Sequence, residues 1–223
     1  MQLIYSCNPK IGDGLRKNDL KKDVEMVTTR GTMIIRLSDS TPLHRNNFLK
    51  LVKQHYYDSV LFHRVIKNFM IQGGDPDSKR AKPGMSLGNG GPSYTVPAEF
   101  RSTLFHEKGV IAAAREGDDV NPSKASSGSQ FYIVQGKKFT DAGLDSVETY
   151  RLKGRKIPAE WRIVYKTVGG TPHLDQGYTV FGKLVKGLDV LDSIAAVPTH
   201  RGPGGDRPVT DVRILSVKLV KRK

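Results

Sequence analysis

The chain has 223 residues, of which 37% are hydrophobic and 26% are charged, and its formal net charge is +14. This composition is typical of a globular domain with a sizeable core, and the longest apolar run, 110–114, is far short of the roughly 20 residues that a membrane-spanning helix needs. The single cysteine, Cys7, excludes an intramolecular disulfide and a cysteine metal site.

The first 23 residues are predicted to form a flexible leader, because 8–23 are mostly polar and charged. Cys7 loosely resembles the end of a bacterial lipoprotein signal, but the few residues before it are too short for a charged region and an apolar core. Two interpretations stay open: a cysteine in a disordered tail, or a lipid anchor if the true start lies upstream. The expected location is cytoplasmic in the first case and the bacterial cell envelope in the second.

The folded domain is predicted over 24–223 and begins with two strands, 24–29 and 32–38. Alternation of apolar and polar residues in the second strand places three side chains on one face: Met33, Ile35 and Leu37. A helix follows, because Thr41-Pro42 offers a hydroxyl cap and a proline in the first turn.

The stretch 62–75, FHRVIKNFMIQGGD, is predicted to be a strand that carries an arginine among apolar residues. Further strands are predicted at 108–115, KGVIAAAR, and at 126–134, SSGSQFYIV. A short helix fits 188–197, and the closing strand, 212–220, is expected to point three side chains inward: Leu215, Val217 and Leu219.

Many short strands and only two core helices favour a mainly β fold, a closed antiparallel barrel, over an alternating βαβ sheet. One segment does not fit a barrel. Residues 137–171 have a helical, charged pattern that Pro158 interrupts, and we interpret them as an insertion on the barrel rim.

The alternation of side chains along a strand places several candidate site residues on the same face. Within 62–75, Arg64, Met70 and Gln72 share one face, while Phe69 joins them only if the chain bends near Ile66–Asn68. In the later strand, a second shared face is formed by Gln130 and Tyr132. A concave apolar surface with a few placed polar groups is the usual form of a ligand pocket.

The chain closely resembles the cyclophilin-type peptidyl-prolyl cis-trans isomerases in four segments: FHRVIKNFMIQGGD, GVIAAAR, SSGSQFYIV and LDQGYTVFG. The insertion and the last of these segments resemble a bacterial branch of the family. The resemblance covers roughly 24–220 apart from the insertion, and its long first motif is highly specific. It implies an eight-stranded antiparallel β-barrel closed by two helices, and isomerisation of X-Pro peptide bonds.

The resemblance also assigns roles. It implies that Arg64 is the catalytic arginine, that Gln72 orients it, and that Phe69 and Met70 form the floor of a proline pocket. The remaining substrate-binding residues follow by motif: Ala114, Arg115, Gln130, Tyr132, His173, Leu174 and Tyr178.

The chain departs from the common family pattern at four of these positions. Arg115 stands where Asn is frequent, Tyr132 where Phe is commoner, and Tyr178 where many eukaryotic members have His. His173 stands where cyclosporin-sensitive members often have Trp, so we expect weak cyclosporin inhibition with catalysis retained.

The implied partners are proline-containing peptides and unfolded or folding proteins, bound by a monomer. The chemistry requires no cofactor and no metal, because a bond rotates and no group is transferred. Nucleic acid is not required either.

Three alternatives stay open from the residues alone. Arg64 would be structural if it paired with a core carboxylate, and Phe69 and Met70 would be ordinary core residues. The domain would be a binding module if it captured proline segments without turnover. The basic surface would be the main feature if the protein bound nucleic acid with steep salt dependence.

Overall fold

The structure is a computed structural model that describes residues 10–12, 14–200 and 205–222. Its strands are β1 Lys10–Gly12, β2 Leu15–Arg16, β3 Lys22–Thr28, β4 Gly31–Leu37, β5 Arg64–Ile66, β6 Met70–Gly73, β7 Thr95–Val96, β8 Val110–Ala113, β9 Ser126–Ser127, β10 Phe131–Val134, β11 Val180–Lys186 and β12 Ile214–Lys221. Its α-helices are α1 Pro42–Lys53, α2 Asp141–Tyr150, α3 Ala159–Thr167 and α4 Leu188–Ala195. Short 3-10 helices span Lys17–Lys21, Pro76–Arg80 and Pro172–Leu174.

One curled antiparallel sheet of eight strands dominates the fold, in the order β12-β3-β4-β11-β8-β10-β6-β5. The mainly β prediction is confirmed, but the predicted closure is wrong: the ladder is open between β5 and β12, so the sheet is a strongly curled half-barrel. In place of a ladder, the chain before β5 meets the start of β12 at an isolated bridge between Leu61 and Arg213 and at a few backbone hydrogen bonds, among them Phe62 N to Val212 O at 2.9 Å. Ser59, with φ of 69°, turns the backbone out of the extended conformation that a continued ladder needs.

Alternate residues of the strands face two different apolar clusters. In β6 and β10, Ile71, Phe131 and Ile133 belong to the main core, into which α1 and α4 also pack. Met70 and Tyr132, one position away, belong to a second cluster on the opposite face of the sheet. Strand parity therefore separates the core from the surface on which the candidate site is built.

The face of the closing strand was predicted only in part. Val217 is buried in the core as expected, whereas Leu215 is 50% exposed. A register shift between Ile214 and Ser216, opposite β3, is the cause. A bulge adds one residue to the strand. Because successive side chains point to opposite faces of a sheet, one added residue moves every side chain on its N-terminal side to the other face.

The first backbone N–H groups of α1 are capped by a residue from elsewhere in the chain. Thr41 occupies the N-cap position, but its hydroxyl makes no capping hydrogen bond. Instead, the carboxylate of Glu99 accepts from the backbone N–H groups of Leu43 at 3.2 Å and His44 at 3.0 Å. An anionic acceptor at a helix N-terminus also suits the helix dipole, so the predicted hydroxyl cap is replaced by a carboxylate.

The predicted insertion is helical, as expected, and consists of α2 and α3. Pro158 is the N-cap of α3 and separates the two helices. The insertion has its own apolar cluster of Leu144, Ile157, Trp161 and Tyr165. Its two ends meet at a bridge between Lys137 and Gly170, so it leaves and rejoins the sheet at one place.

Part of the predicted leader lies outside the described residues, and Cys7 is in that part. In the described part, β1 pairs with β2 and Leu15 is buried in the main core. Asp19 accepts from Lys53 Nζ of α1 at 2.8 Å. Within the described ranges, no helix is both long enough and apolar enough to cross a membrane.

Candidate active site

The predicted strand over 62–75 is a hairpin, β5–β6, and this arrangement places the arginine. Arg64 is the register partner of Gln72, and Ile66 is the partner of Met70. The chain reverses at Asn68, which adopts a left-handed φ of 63°. The bend predicted near Ile66–Asn68 is therefore confirmed, and it is the turn that brings Phe69 to the same side as Arg64.

A chain of side-chain amides supports Arg64. Arg64 Nη1 donates to Gln72 Oε1 at 3.4 Å, and Gln72 Nε2 donates to Gln130 Oε1 at 3.2 Å. Gln130 Nε2 in turn donates to the carbonyl oxygens of Gly88 and Gly90, both at 2.8 Å. These bonds fix each amide in one orientation, so Gln72 presents its oxygen to the guanidinium.

Arg64 stands at the rim of a cavity of about 880 Å³. Most of the predicted site residues line this cavity: Arg64, Phe69, Met70, Gln72, Ala114, Arg115, Tyr132, Leu174 and Tyr178. Met70 and Tyr132 are buried at its floor, and Phe69 and Leu174 pack against their cluster. The arrangement is an apolar floor with a cation at its edge.

Tyr132 is held from behind by a histidine. Its hydroxyl lies 2.9 Å from His106 Nε2, and the two rings are nearly parallel with centroids 6.0 Å apart. Burial raises the pKa of the Tyr132 phenol well above its ordinary value, so the ring is neutral at physiological pH. The edge of the Tyr178 ring meets Tyr132 at 82°, with centroids 5.8 Å apart.

Arg115 supports the cavity wall with its side chain. Its Nε donates to Gly177 O at 2.7 Å, and its guanidinium lies 4.5 Å from the ring centroid of Tyr178. Arg115 Nη2 also pairs with Asp118 Oδ1 at 2.7 Å. These partners occupy the guanidinium, so the backbone of Arg115 is the part of this residue left to meet an extended peptide. The neighbouring Ala114 already donates its N–H to Gln130 O at 3.0 Å and accepts from the Ser127 N–H at 2.8 Å.

Two predicted residues lie outside the first cavity. Gln130 lines a neighbouring cavity of about 810 Å³, which shares Gln72, Ala114 and Arg115 with the first. His173 lines neither cavity; its ring stacks on Phe69, with centroids 5.5 Å apart. Burial, helped by the nearby charge of Arg151, lowers the pKa of His173 to about 4, so this ring is neutral and supports Phe69 from behind.

The structure adds residues that the sequence analysis missed. Asp206 Oδ2 lies 3.4 Å from Arg64 Nε, with both side chains 43% exposed. The alternative of an arginine paired with a core carboxylate is thus not realised, because this carboxylate is at the surface. No local pattern marks Asp206, since the pair joins distant parts of the chain.

His63 is the other missed residue, and it also lines the first cavity. It is buried, and neither imidazole nitrogen has a hydrogen-bond partner among the described residues. Burial lowers its pKa to about 4. His63 lies in the FHR motif directly before Arg64, and no pattern in the sequence marks it as a site residue in its own right.

The chemical capacity of the site follows from its charges. A guanidinium stays protonated in proteins, so Arg64 is a permanent donor beside neutral rings. In the part of the chain that the structure describes, no three His, Cys, Asp or Glu side chains are grouped to hold a metal ion. The arrangement can bind an apolar ring and stabilise an acceptor that forms next to it.

Comparison with known proteins identifies similar chains. The family model described as "Cyclophilin type peptidyl-prolyl cis-trans isomerase/CLD" matches residues 23–219. A Staphylococcus saprophyticus protein, named as a proposed peptidyl-prolyl cis-trans isomerase, is 36% identical over 217 residues, which cover 96% of this chain and 98% of that protein. The "Peptidyl-prolyl cis-trans isomerase-like 2" of Rhizopus delemar is 33% identical over 209 residues, 92% of this chain and 30% of that protein.

Among solved structures, a cyclophilin type peptidyl-prolyl cis-trans isomerase of Cryptosporidium parvum superposes with a TM-score of 0.63 at 23% identity. The superposition covers 91% of this chain and 99% of that one. A second structure of that protein, determined in the presence of the dipeptide Ala-Pro, has a TM-score of 0.62. At this identity the likeness concerns the fold.

Proposed function

The chain belongs to the cyclophilin-type peptidyl-prolyl cis-trans isomerase family and is an enzyme of that type, and we propose that its reaction takes place in the first cavity with Arg64 as the catalytic group. The observation that carries the proposal is the position of the Arg64 guanidinium, which Gln72 orients at the rim of an apolar floor. Proline rings are the substrate groups that such a floor accommodates.

The reaction to be accelerated is rotation about an X-Pro amide. Partial double-bond character gives this bond a barrier of about 18–20 kcal/mol, and uncatalysed exchange takes tens to hundreds of seconds. Twisting the bond removes the resonance and leaves a lone pair on the proline nitrogen. That nitrogen becomes a hydrogen-bond acceptor only near the transition state.

Arg64 is suited to exploit this difference between the planar and the twisted amide. It donates to the proline nitrogen in the twisted amide and has little to donate to in the planar ground state. An interaction that forms only in the transition state raises the rate, by about tenfold for each 1.4 kcal/mol. Because Gln72 and Gln130 hold the guanidinium in place beforehand, little reorganisation accompanies the reaction.

The apolar residues supply the other half of the mechanism. Phe69, Met70, Tyr132 and Leu174 surround the proline ring and keep it still while the carbonyl side rotates. The backbone of Ala114 and Arg115 lies beside the second cavity, where residues before the proline extend. Proline-containing peptides, including segments of unfolded or folding proteins, are the proposed substrates.

The test is exchange spectroscopy by NMR on a short proline peptide. Wild-type protein should accelerate cis–trans exchange, and Arg64→Ala should lose most of the acceleration while keeping its fold. Arg30→Ala, at an exposed turn between β3 and β4, is the matched control and should behave as wild type. Full exchange rates with Arg64→Ala would refute the assignment of Arg64.

Location and assembly are proposed on the sequence alone. We propose a cytoplasmic monomer, with a cell-envelope lipoprotein as the alternative if Cys7 is acylated. Mass spectrometry of the mature N-terminus decides between a free and a lipidated Cys7, and light scattering gives the oligomeric state.

A further inference from the structure

The insertion reaches the candidate active site through a buried line of hydrogen bonds, and its first member is Tyr165 on α3. The Tyr165 side chain is fully buried in the apolar cluster of the insertion. Its hydroxyl donates to Asp175 Oδ2 at 2.7 Å. Burial, together with the carboxylate of Asp175, raises the pKa of the Tyr165 phenol, so the hydroxyl keeps the proton that it donates.

Asp175 connects this hydroxyl to a histidine. Its other oxygen, Oδ1, accepts from the backbone N–H of His106 at 2.8 Å and lies 3.0 Å from His106 Nδ1. A carboxylate accepts and does not donate, so Nδ1 is the ring nitrogen that carries a proton and donates to Asp175. Both oxygens of Asp175 are therefore engaged, and the tautomer of His106 follows from the bond.

His106 then meets the floor of the cavity. With Nδ1 protonated, Nε2 is the acceptor, and Tyr132 donates its hydroxyl proton to it over 2.9 Å. Tyr132, His106, Asp175 and Tyr165 are each 5% exposed or less. A buried polar network whose members are all satisfied fixes one arrangement of its side chains.

A second contact links the insertion to the cavity wall. Arg155, between α2 and α3, donates from Nη2 to the backbone carbonyl of Asp175 at 2.6 Å. Asp175 directly follows the short helix Pro172–Leu174, and Leu174 lines the cavity. The insertion thus holds both the floor residue Tyr132 and the backbone that carries Leu174.

We propose that Tyr165 is a positioning residue for the isomerase reaction: the insertion, through Asp175 and His106, sets the position of the Tyr132 ring against the substrate proline. This inference rests on the proposed function of the first cavity. Tyr132 carries the hydroxyl that makes the connection, whereas a phenylalanine at this position would have no bond to His106. The insertion is therefore part of the substrate-binding machinery and not an appendage.

The experiment is a double-mutant cycle with Tyr165→Phe and Tyr132→Phe, each of which removes one hydroxyl and keeps the ring. The Tyr132 ring contacts proline in both the ground state and the transition state, so its displacement should mainly raise KM. We expect each single variant to raise KM about fivefold, or about 1 kcal/mol at 25 °C, with kcat nearly unchanged. The double variant should be no worse than either single one.

Controls separate this outcome from loss of folding. Tyr150→Phe, on the exposed surface of α2, is the matched change within the insertion and should leave KM unchanged. Fluorescence of Trp161 and thermal unfolding confirm that each variant is folded at the assay temperature. Nitrogen-15 chemical shifts of the His106 ring should move in Tyr165→Phe and not in Tyr150→Phe.

Two results would overturn the inference: a wild-type KM in Tyr165→Phe, or single effects that add in the double variant. Arg64→Ala in the same assay tests the proposed function separately. If Arg64→Ala is inactive and Tyr165→Phe is normal, only the positioning role fails. If Arg64→Ala is fully active, the proposed site itself fails.

Discussion

Arg64 and Gln72 are register partners across the β5–β6 hairpin, and the Gln72 side chain accepts from Arg64 Nη1 at 3.4 Å. The bond is long and involves one of the five N–H donors of the guanidinium. Gln72 therefore orients Arg64, while most of the guanidinium donors have no partner among the described residues and can face a substrate. The carboxylate of Asp206 adds a second, more exposed contact at Nε.

The two partners of Arg64 should contribute unequally to activity. Gln72→Leu removes the link between Arg64 and Gln130, so we expect kcat/KM to fall more than about tenfold, because a precisely placed donor is typically worth 10²–10³. Asp206→Asn should change kcat/KM less than about threefold, because exposed ion pairs contribute little. Isomerisation kinetics on a proline peptide measure both, and a larger loss in the Asp206 variant would contradict this ranking.

Cyclosporin should inhibit this enzyme weakly because of His173. The imidazole stacks on Phe69 behind the cavity and does not line it, so it offers the inhibitor little apolar surface and no indole N–H. We expect His173→Trp to bind cyclosporin more tightly than wild type, with similar kcat. Titration of isomerase activity with cyclosporin measures this, and equally tight inhibition of both proteins would disprove the role of His173.

The insertion should lose stability in acid through Glu148. This buried carboxylate accepts from Lys156 Nζ at 2.7 Å, from Arg162 Nη1 at 2.8 Å and from the Ile157 N–H at 3.1 Å. These donors, the lysine first, lower the pKa of Glu148 from 4.5 to about 2. A carboxyl with a depressed folded-state pKa stabilises the fold above its unfolded pKa and loses this effect as pH falls from about 4.5 towards 2.

Glu148→Gln tests that contribution. At pH 7 we expect the free energy of unfolding to fall by about 2 kcal/mol, the usual scale for hydrogen bonds to a charged group, and the difference from wild type to disappear near pH 2. Trp161, the single tryptophan, stacks on Phe105 with centroids 4.6 Å apart and reports unfolding of the insertion. Glu160→Gln, at an exposed site on the same segment, is the control. A difference that persists unchanged at pH 2 would contradict the assignment.

Gly74, immediately after β6, should be irreplaceable. Its φ is +100°, and an added Cβ would lie 2.3 Å from the backbone oxygen of Ser129. Gly74→Ala therefore combines backbone strain of about 1–3 kcal/mol with a clash against the loop that precedes β10. Gly84→Ala is the matched control, because its φ is +75° with nothing within 4 Å. Denaturant unfolding should show a clearly greater loss for Gly74→Ala, and equal losses would refute the clash.

Local patterns were reliable wherever backbone geometry alone decides the outcome. The alternation of side chains along the strand placed Arg64 and Gln72 on one face and Ile71 on the other. The need to bring Phe69 to the site predicted the turn at Asn68. Proline at 158 correctly divided the insertion. The period of a strand is a property of the chain itself, so these features can be derived from neighbouring residues.

The amino-acid sequence by itself therefore determined the family motif, the faces of the site strands and the helical insertion. Only the tertiary structure decided the open edge of the sheet, the exposure of Leu215 and the carboxylate cap from Glu99. It also decided the line from Tyr165 to Tyr132. Each of these depends on register, on a bulge or on a hydrogen bond between residues far apart in the chain. Local periodicity does not encode which distant residues meet.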